Sequence, residues 1–294
     1  MPRSELRRQY AKRCDVADFA DPEVAALIGR IAPSLDAERP HRKGWEYALA
    51  ALFLRDTGHL DDASNVLDVG AGAEELLFWL AARVTRIVAL DTYGAGRFAG
   101  REASARMLED PAAFAPYPYP RERLEVRRAD ARRLPFADAT FDAVVSLSSI
   151  EHFGGPGDVA QAAGEIGRVL RPGVHAFIVT EAFVDMRLLE RAPLQATIRL
   201  LTAGRLASTA TPRRRHAEVL TVREVLARIV SASGLELMQP LQLNLTPQTY
   251  DNVIAIADGG GPQPDGAPAY PHVLLQVRGS TFTSLALPLE KPMP

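Results

Sequence analysis

Asn65-Val66-Leu67-Asp68-Val69-Gly70-Ala71-Gly72 decides how the rest of this chain is read. The first five residues predict a short strand, and two glycines separated by one residue follow it. Apolar residues at helical spacing then predict a helix over 74–83. Gly70 and Gly72 carry no Cβ, so the backbone there can approach a ligand closely. The helix N-terminus beside them offers free N–H groups. A Gly-x-Gly step also fits a plain strand-to-helix turn, so the neighbouring residues must discriminate.

A second strand over 86–90 ends on Asp91, about twenty residues beyond Gly70, where Rossmann-like sheets set a carboxylate on ribose hydroxyls. A nicotinamide-dependent oxidoreductase would satisfy that spacing too. Against it, no third glycine stands at 73–75, and Glu74 and Glu75 put negative charge where a pyrophosphate would sit. A sulfonium cofactor, positively charged and without phosphate, tolerates those acids.

Working outward, strands are expected over 124–128, 141–147 and 175–180, with helices over 102–108 and 158–170 and a turn at Arg171-Pro172-Gly173. Strands alternating with helices imply a parallel sheet covered on both faces. Residues 1–60 read as a helical cap, with helices after Asp21-Pro22 and over 42–55. Residues 61–182 form the core and 183–220 a lid insertion with a helix over 186–201. Residues 221–294 complete the sheet: a helix over 221–233 carries the Thr221/Glu224 capping box and a closing Gly234. Strands over 235–238 and 241–245, a flexible loop over 258–268, and antiparallel strands over 272–277 and 281–287 follow.

The chain has 294 residues, 47% hydrophobic and 24% charged, with net charge −2. That balance excludes a disordered chain and gives no global reason to expect nucleic acid. The run Arg213-Arg214-Arg215 reads as solvated surface. Cys14 is the single cysteine, which excludes an internal disulfide and suits a reducing compartment. The charged N-terminus and the absence of long apolar runs lead to the expectation of a cytoplasmic protein without a membrane span.

These segments, in this order, resemble class I S-adenosylmethionine (SAM)-dependent methyltransferases, most closely the small-molecule branch called type 11. Val66–Gly72 resembles the cofactor loop and Asp91 the acid after the second strand. Arg128-Ala129-Asp130-Ala131 with Leu134-Pro135-Phe136 resembles the adenine segment. Phe141–Ser146 matches the fourth strand, and Leu170-Arg171-Pro172-Gly173 the turn before the fifth. The resemblance spans about 65–182 and departs at the third glycine, replaced by Ala73-Glu74. It implies a Rossmann-like sheet, parallel in its core with antiparallel C-terminal strands, and SAM as cofactor. By position, Asp68, Gly70, Ala71 and Gly72 would lie by the methionine part, Asp91 on the ribose, and Asp130 and Ala131 on the adenine, with Ser148 beside the cofactor. Arg42-Lys43-Gly44-Trp45-Glu46-Tyr47, Gly70–Glu74 and Phe282-Thr283-Ser284 resemble methyltransferases associated with bacterial polysaccharide or glycolipid synthesis. The partner so implied is a small-molecule acceptor, a glycan or glycolipid.

The fourth strand leads into Ser148-Ser149-Ile150-Glu151-His152-Phe153. Ligands meet at the carboxyl ends of such strands. His152 is the candidate general base for a hydroxyl acceptor, or else it lines the adenine edge or caps the next helix. Glu151 either orients that imidazole or is a solvent-exposed neighbour. His175 reads as structural, His41, His59 and His272 as loop residues without a nameable partner, and His216 as a contact for an anionic acceptor. Tyr117 and Tyr119 could stack on a sugar or pack on their own domain. No metal site is expected, because Val179-Thr180-Glu181 lacks a following Asp-Asn and no zinc spacing occurs. Besides O-methyl transfer, N-methyl transfer, a SAM-binding scaffold without turnover and an NAD-dependent oxidoreductase remain open.

Overall fold

A computed structural model describes residues 6–35, 38–100, 102–185, 201, 218–257, 261–262, 270–277 and 279–294. The expected helix over 186–201 (save residue 201), the basic run 213–215, His216 and most of the loop over 258–268 lie outside the described residues.

The sheet grows from β1 (Asn65–Val69), flanked by β2 (Arg86–Asp91) and β4 (Phe141–Leu147). β3 (Leu124–Arg128) pairs with β2, and β5 (Leu170–Asp185) with β4; all these pairings are parallel. Beyond β5 run β10 (Ser280–Glu290), β9 (Leu274–Val277), β7 (Val253–Ala257) and the short β8 (Gly261–Pro262). β10 is antiparallel to β5 and β9, and β6 (Glu236–Leu237) pairs with β10. The parallel core with an antiparallel C-terminal edge is therefore present as expected.

Successive residues of each central strand face opposite layers, as the strand period requires. Val66, Ala143, Val145 and Phe177 pack under α1 (Pro22–Ile31), α2 (Arg42–Asp56) and α3 (Glu75–Ala81). Leu67, Val144 and Ile178 pack under α4 (Pro156–Val169) and α5 (222–233). Asp21 caps α1, accepting from the Glu23 N–H with Pro22 at the first helical position. α2 is buried from Gly44 to Leu54. Thr221 and Glu224 close the expected capping box of α5, which carries a π-helical stretch, Leu226–Val230, and ends at Gly234 with φ +68°.

Several expectations change. The turn at Arg171-Pro172-Gly173 is absorbed into β5: Phe141 faces Leu170 and Ala143 faces His175, so the extra residues bulge outward. Residues 102–108 yield only a 3-10 turn, Ala105–Leu108. Residues 241–245 contribute a single bridge, Lys12 to Gln242, in place of a strand. β7 has no counterpart in the sequence reading, and β8 falls in the expected loop over 258–268. An α6 turn, Pro247–Tyr250, precedes β7. No helix among the described residues is long and apolar enough to cross a membrane.

Candidate functional site

A cavity of about 1010 Å³ opens at the carboxyl ends of β1, β2 and β4. Gly70, Ala71, Gly72, Asp91, Asp130, Ala131, Ser148 and His152 all line it. The glycines serve the fold before any ligand. Gly70 has φ +78°, and a Cβ there would lie 2.5 Å from Ser149 Cβ and 2.9 Å from the Phe153 ring. At Gly72, with φ +50°, it would meet the Glu102 carbonyl at 2.9 Å. Asp91 ties the loop down, accepting from the Gly72 N–H at 3.0 Å and the Thr92 N–H at 2.6 Å.

Three expected positions change in character. Asp68 does not line the cavity: it is fully buried behind the loop, and neither carboxylate oxygen has a partner. Burial, then the nearby Glu74, drive its carboxyl well above the usual range. Asp130 lines the cavity, but Arg132 already engages both its oxygens, from Nε at 2.9 and 3.0 Å. Ser148, at φ +49°, turns its hydroxyl away to donate to Glu46 at 2.7 Å. A non-glycine residue held at positive φ beside a cavity stores local strain.

Behind the loop lies a buried charge network that the sequence reading did not anticipate. Lys43 Nζ donates to Glu74 Oε1 at 2.5 Å, Glu46 Oε2 at 3.1 Å and the Leu147 carbonyl at 2.9 Å. Glu46 Oε1 also accepts from Ser284 Oγ at 2.5 Å, and Arg42 Nη2 donates to Glu181 Oε1 at 2.5 Å. Glu46 is fully buried; burial raises its carboxyl, but Lys43 and Arg42 outweigh that and hold it below the usual range. Burial also lifts Glu74, to about 7. Glu74 Oε2 and the Asp68 oxygens are thus buried acceptors without partners around the loop. Such a surround suits a ligand carrying positive charge, as SAM does, and opposes a pyrophosphate. Glu74 is built into the site through Lys43. The sequence signal was present: Arg42, Lys43 and Glu46 sit on a helix whose other faces are apolar, and a buried charge needs partners.

His152 stands on the short turn Ile150–His152 after β4. Its Nδ1 lies 3.1 Å from Glu218 Oε2, and Arg97 Nη1 donates to that same oxygen at 2.5 Å. Burial alone would lower the imidazole pKa; Glu218, Glu151 and Glu181 outweigh it and raise it. Glu218, the strongest partner of His152, was missed because it lies 66 positions away. Glu151 is not solvent-exposed: it is buried and accepts from Thr180 Oγ1 at 3.1 Å and the Glu181 N–H at 2.9 Å. It acts on His152 as a charge, within 4.8 Å, while Glu218 makes the direct contact. Glu151, His152 and Glu181 converge closely enough to hold a cation, a grouping the sequence reading did not foresee. Arg42 at Glu181, and the hydrogen bonds on both Glu151 oxygens, already answer that charge.

The four other described histidines pair with one another: His175 is structural, as read, whereas His41, His59 and His272 have partners that the sequence did not reveal. His41 and His272 stack with ring centroids 4.3 Å apart, and both line the cavity. His59 Nε2 and His175 Nδ1 share a hydrogen bond of 2.8 Å outside it. Tyr117 and Tyr119 pack on their own domain: the Tyr117 hydroxyl donates to the Ile31 carbonyl, and Tyr119 lies against Phe78.

Comparison with known proteins agrees with this geometry. A family model described as a methyltransferase domain matches residues 67–178. Erythromycin 3''-O-methyltransferase of Saccharopolyspora erythraea is 32% identical over 160 residues, covering 53% of this chain and 47% of its own. Demethylmenaquinone methyltransferase of Lactiplantibacillus plantarum is 28% identical over 173 residues, covering 57% and 66%. The chain therefore spans about half to two thirds of the length of these curated relatives. The crystal structure of the YcgJ protein from Bacillus subtilis superposes with TM-score 0.47 at 17% identity, covering 83% of this chain and 97% of its own. The match over 67–178 falls on the strands and loops that build the loop wall of the cavity, so that stretch is a methyltransferase domain, of the kind that takes SAM as its cofactor.

Proposed function

We propose that the protein transfers the methyl group of SAM to a hydroxyl oxygen of a small-molecule acceptor of the sugar or glycolipid kind, with His152 as general base. The observation that carries this reading is the placement of His152 in the same cavity as the Gly70–Gly72 loop, against Glu218. SAM supplies an electrophilic methyl group, which passes to the acceptor oxygen as the carbon–sulfur electrons return to sulfur. The chain supplies the rest. With Nδ1 3.1 Å from the Glu218 carboxylate, close enough for charge attraction but not aligned for a hydrogen bond, His152 has Nε2 left to take the hydroxyl proton, and the Glu218 charge stabilises the imidazolium that forms. Glu151 and Glu181 add negative charge nearby. Asp91 would hold the cofactor beside the Gly70–Gly72 loop, whose own N–H groups are taken by the Leu90 carbonyl and Asp91; the residues of 1–60 that line the cavity (His41, Arg42, Lys43 and Tyr47) help exclude water, and alignment of the two reactants provides much of the acceleration.

A hydroxyl acceptor needs this base; an amine does not, and the built His152–Glu218 pair favours oxygen over nitrogen. The relative named as an O-methyltransferase supports the same choice. The test is incubation with methyl-deuterated SAM and fractionated small-molecule extracts, followed by mass spectrometry. A deuteromethyl ether is the expected product. Label found only on nitrogen, or no consumption of tightly bound SAM with any fraction, would overturn the reading.

A further inference from the structure

The wall facing the cofactor loop has a different chemistry from the rest of the cavity. Phe183, Phe282, Leu275 and Ile254 pair side by side across β5, β10, β9 and β7, so their side chains form one row on one sheet face. Val219 and Val277 complete the cluster, and Ile256 packs against it. Phe282, Leu275, Ile254, Ile256, Val277 and Val219 all reach the cavity, and none carries a hydrogen-bonding group. Val219 directly follows Glu218, the partner of His152, so this wall begins beside the candidate base. At the polar edge stand His41 and His272, and His272 Nδ1 is buried with no partner. A volume of about 1010 Å³ stands at the top of the ~300–1,000 Å³ range of single-ligand sites, leaving space beside a cofactor.

We infer that the acceptor is an amphiphile: a hydroxyl-bearing polar head at His152, His41 and His272, joined to an apolar body lying on the wall of β7, β9 and β10. This rests on the methyl-transfer reading and narrows its acceptor from sugars in general to lipid-linked ones. A free monosaccharide presents a hydroxyl on nearly every carbon, and against this wall several would lose water without gaining a partner. An alkyl or fused-ring body buries there without that penalty.

The test uses two glucosides with the same head, methyl β-D-glucoside and n-octyl β-D-glucoside, titrated calorimetrically below the micelle threshold into protein saturated with S-adenosylhomocysteine. The octyl compound is expected to bind at least tenfold tighter, the effect of about two buried methylenes. Ile256→Asp should abolish that preference while leaving methyl glucoside and S-adenosylhomocysteine binding unchanged. The milder Ile256→Ala, a smaller risk to folding, should reduce the preference about threefold. Equal affinities for the two glucosides, or an octyl preference indifferent to both variants, would overturn the inference. Failure of the methyl-transfer reading looks different: the octyl preference would persist and respond to Ile256, yet no acceptor would be methylated. Methylation of free monosaccharides without apolar preference would instead keep the activity and remove the amphiphile.

Discussion

The two walls of the cavity come from different kinds of sequence. The loop wall takes Gly70–Gly72, Asp91, and Asp130 with Ala131 from the ends of β1, β2 and β3, elements joined along one stretch of chain. The facing wall takes Val219, Ile254, Leu275, Val277 and Phe282 from separate segments that meet only when β10 turns antiparallel onto β5. The first is a local pattern, and the second is assembled from a distance. The network of Arg42, Lys43, Glu46, Glu74 and Glu181 ties the two together.

The largest expected effect separates the walls outright. His152→Ala should cut kcat by ~10²–10⁴-fold, the usual range for loss of a general base, with SAM affinity unchanged in calorimetry. Because the surrounding carboxylates raise the His152 pKa, the wild-type rate should climb with a midpoint above 6.5, and that limb should vanish in the variant. Activity within a few-fold of wild type, with the same pH profile, would rule out His152 as the base.

Next in size is the bridge between the walls. Glu46→Ala removes a fully buried carboxylate from between Arg42 and Lys43, leaving part of their charge unanswered. A loss of about 3–5 kcal/mol is expected, read from denaturant unfolding. A loss under 1 kcal/mol would show that the network is not holding α2 to the sheet.

Asp91→Ala should act on the loop wall alone, weakening SAM binding by ~1–3 kcal/mol through the loss of a half-buried acceptor. Titration with SAM measures it, and equal affinity in the variant would remove Asp91 from the cofactor contact.

The remaining effect, spread over several histidines, is the dependence of stability on acidity. Burial lowers the imidazoles of His41, His175 and His272 to about 4, and that of His59 in the same direction. Between the ordinary value of 6.5 and about 4, the unfolded chain takes up protons that the folded chain refuses, so stability is full above 6.5 and falls as pH drops through that window. His152 has the opposite sign: its contribution is present below 6.5 and is lost as pH rises through its higher folded value. Thermal midpoints between pH 7 and pH 4.5 should fall on the acid side. Replacing the His59–His175 pair by two glutamines should flatten that slope; an unchanged slope would assign it to other groups.

How much of this was legible follows from how far each feature reaches along the chain. Strands β1, β3 and β4 lie where the apolar pattern puts them, and the Thr221 capping box closes as the spacing implies. Both depend on neighbours within a few residues, where periodicity and hydrogen-bonding residue types decide the outcome. The absorbed turn in β5 did not show, because Arg-Pro-Gly reads as a break unless a partner strand holds both sides of the bulge. β7 was missed for the same reason: Val253–Ala257 is short, and β9 and β8 make it a strand.

Within the candidate site, the residue types at Gly70, Gly72, Asp91, Asp130 and His152 were written in the sequence. What each does was decided by distant partners. Glu218 reaches His152, Arg132 occupies Asp130, Glu46 draws the Ser148 hydroxyl away, and burial isolates Asp68. A local pattern can specify a backbone path and a side-chain type. The charge a buried group carries depends on which opposite charges and hydrogen-bond donors the fold brings within a few ångströms, and only the tertiary structure determines that.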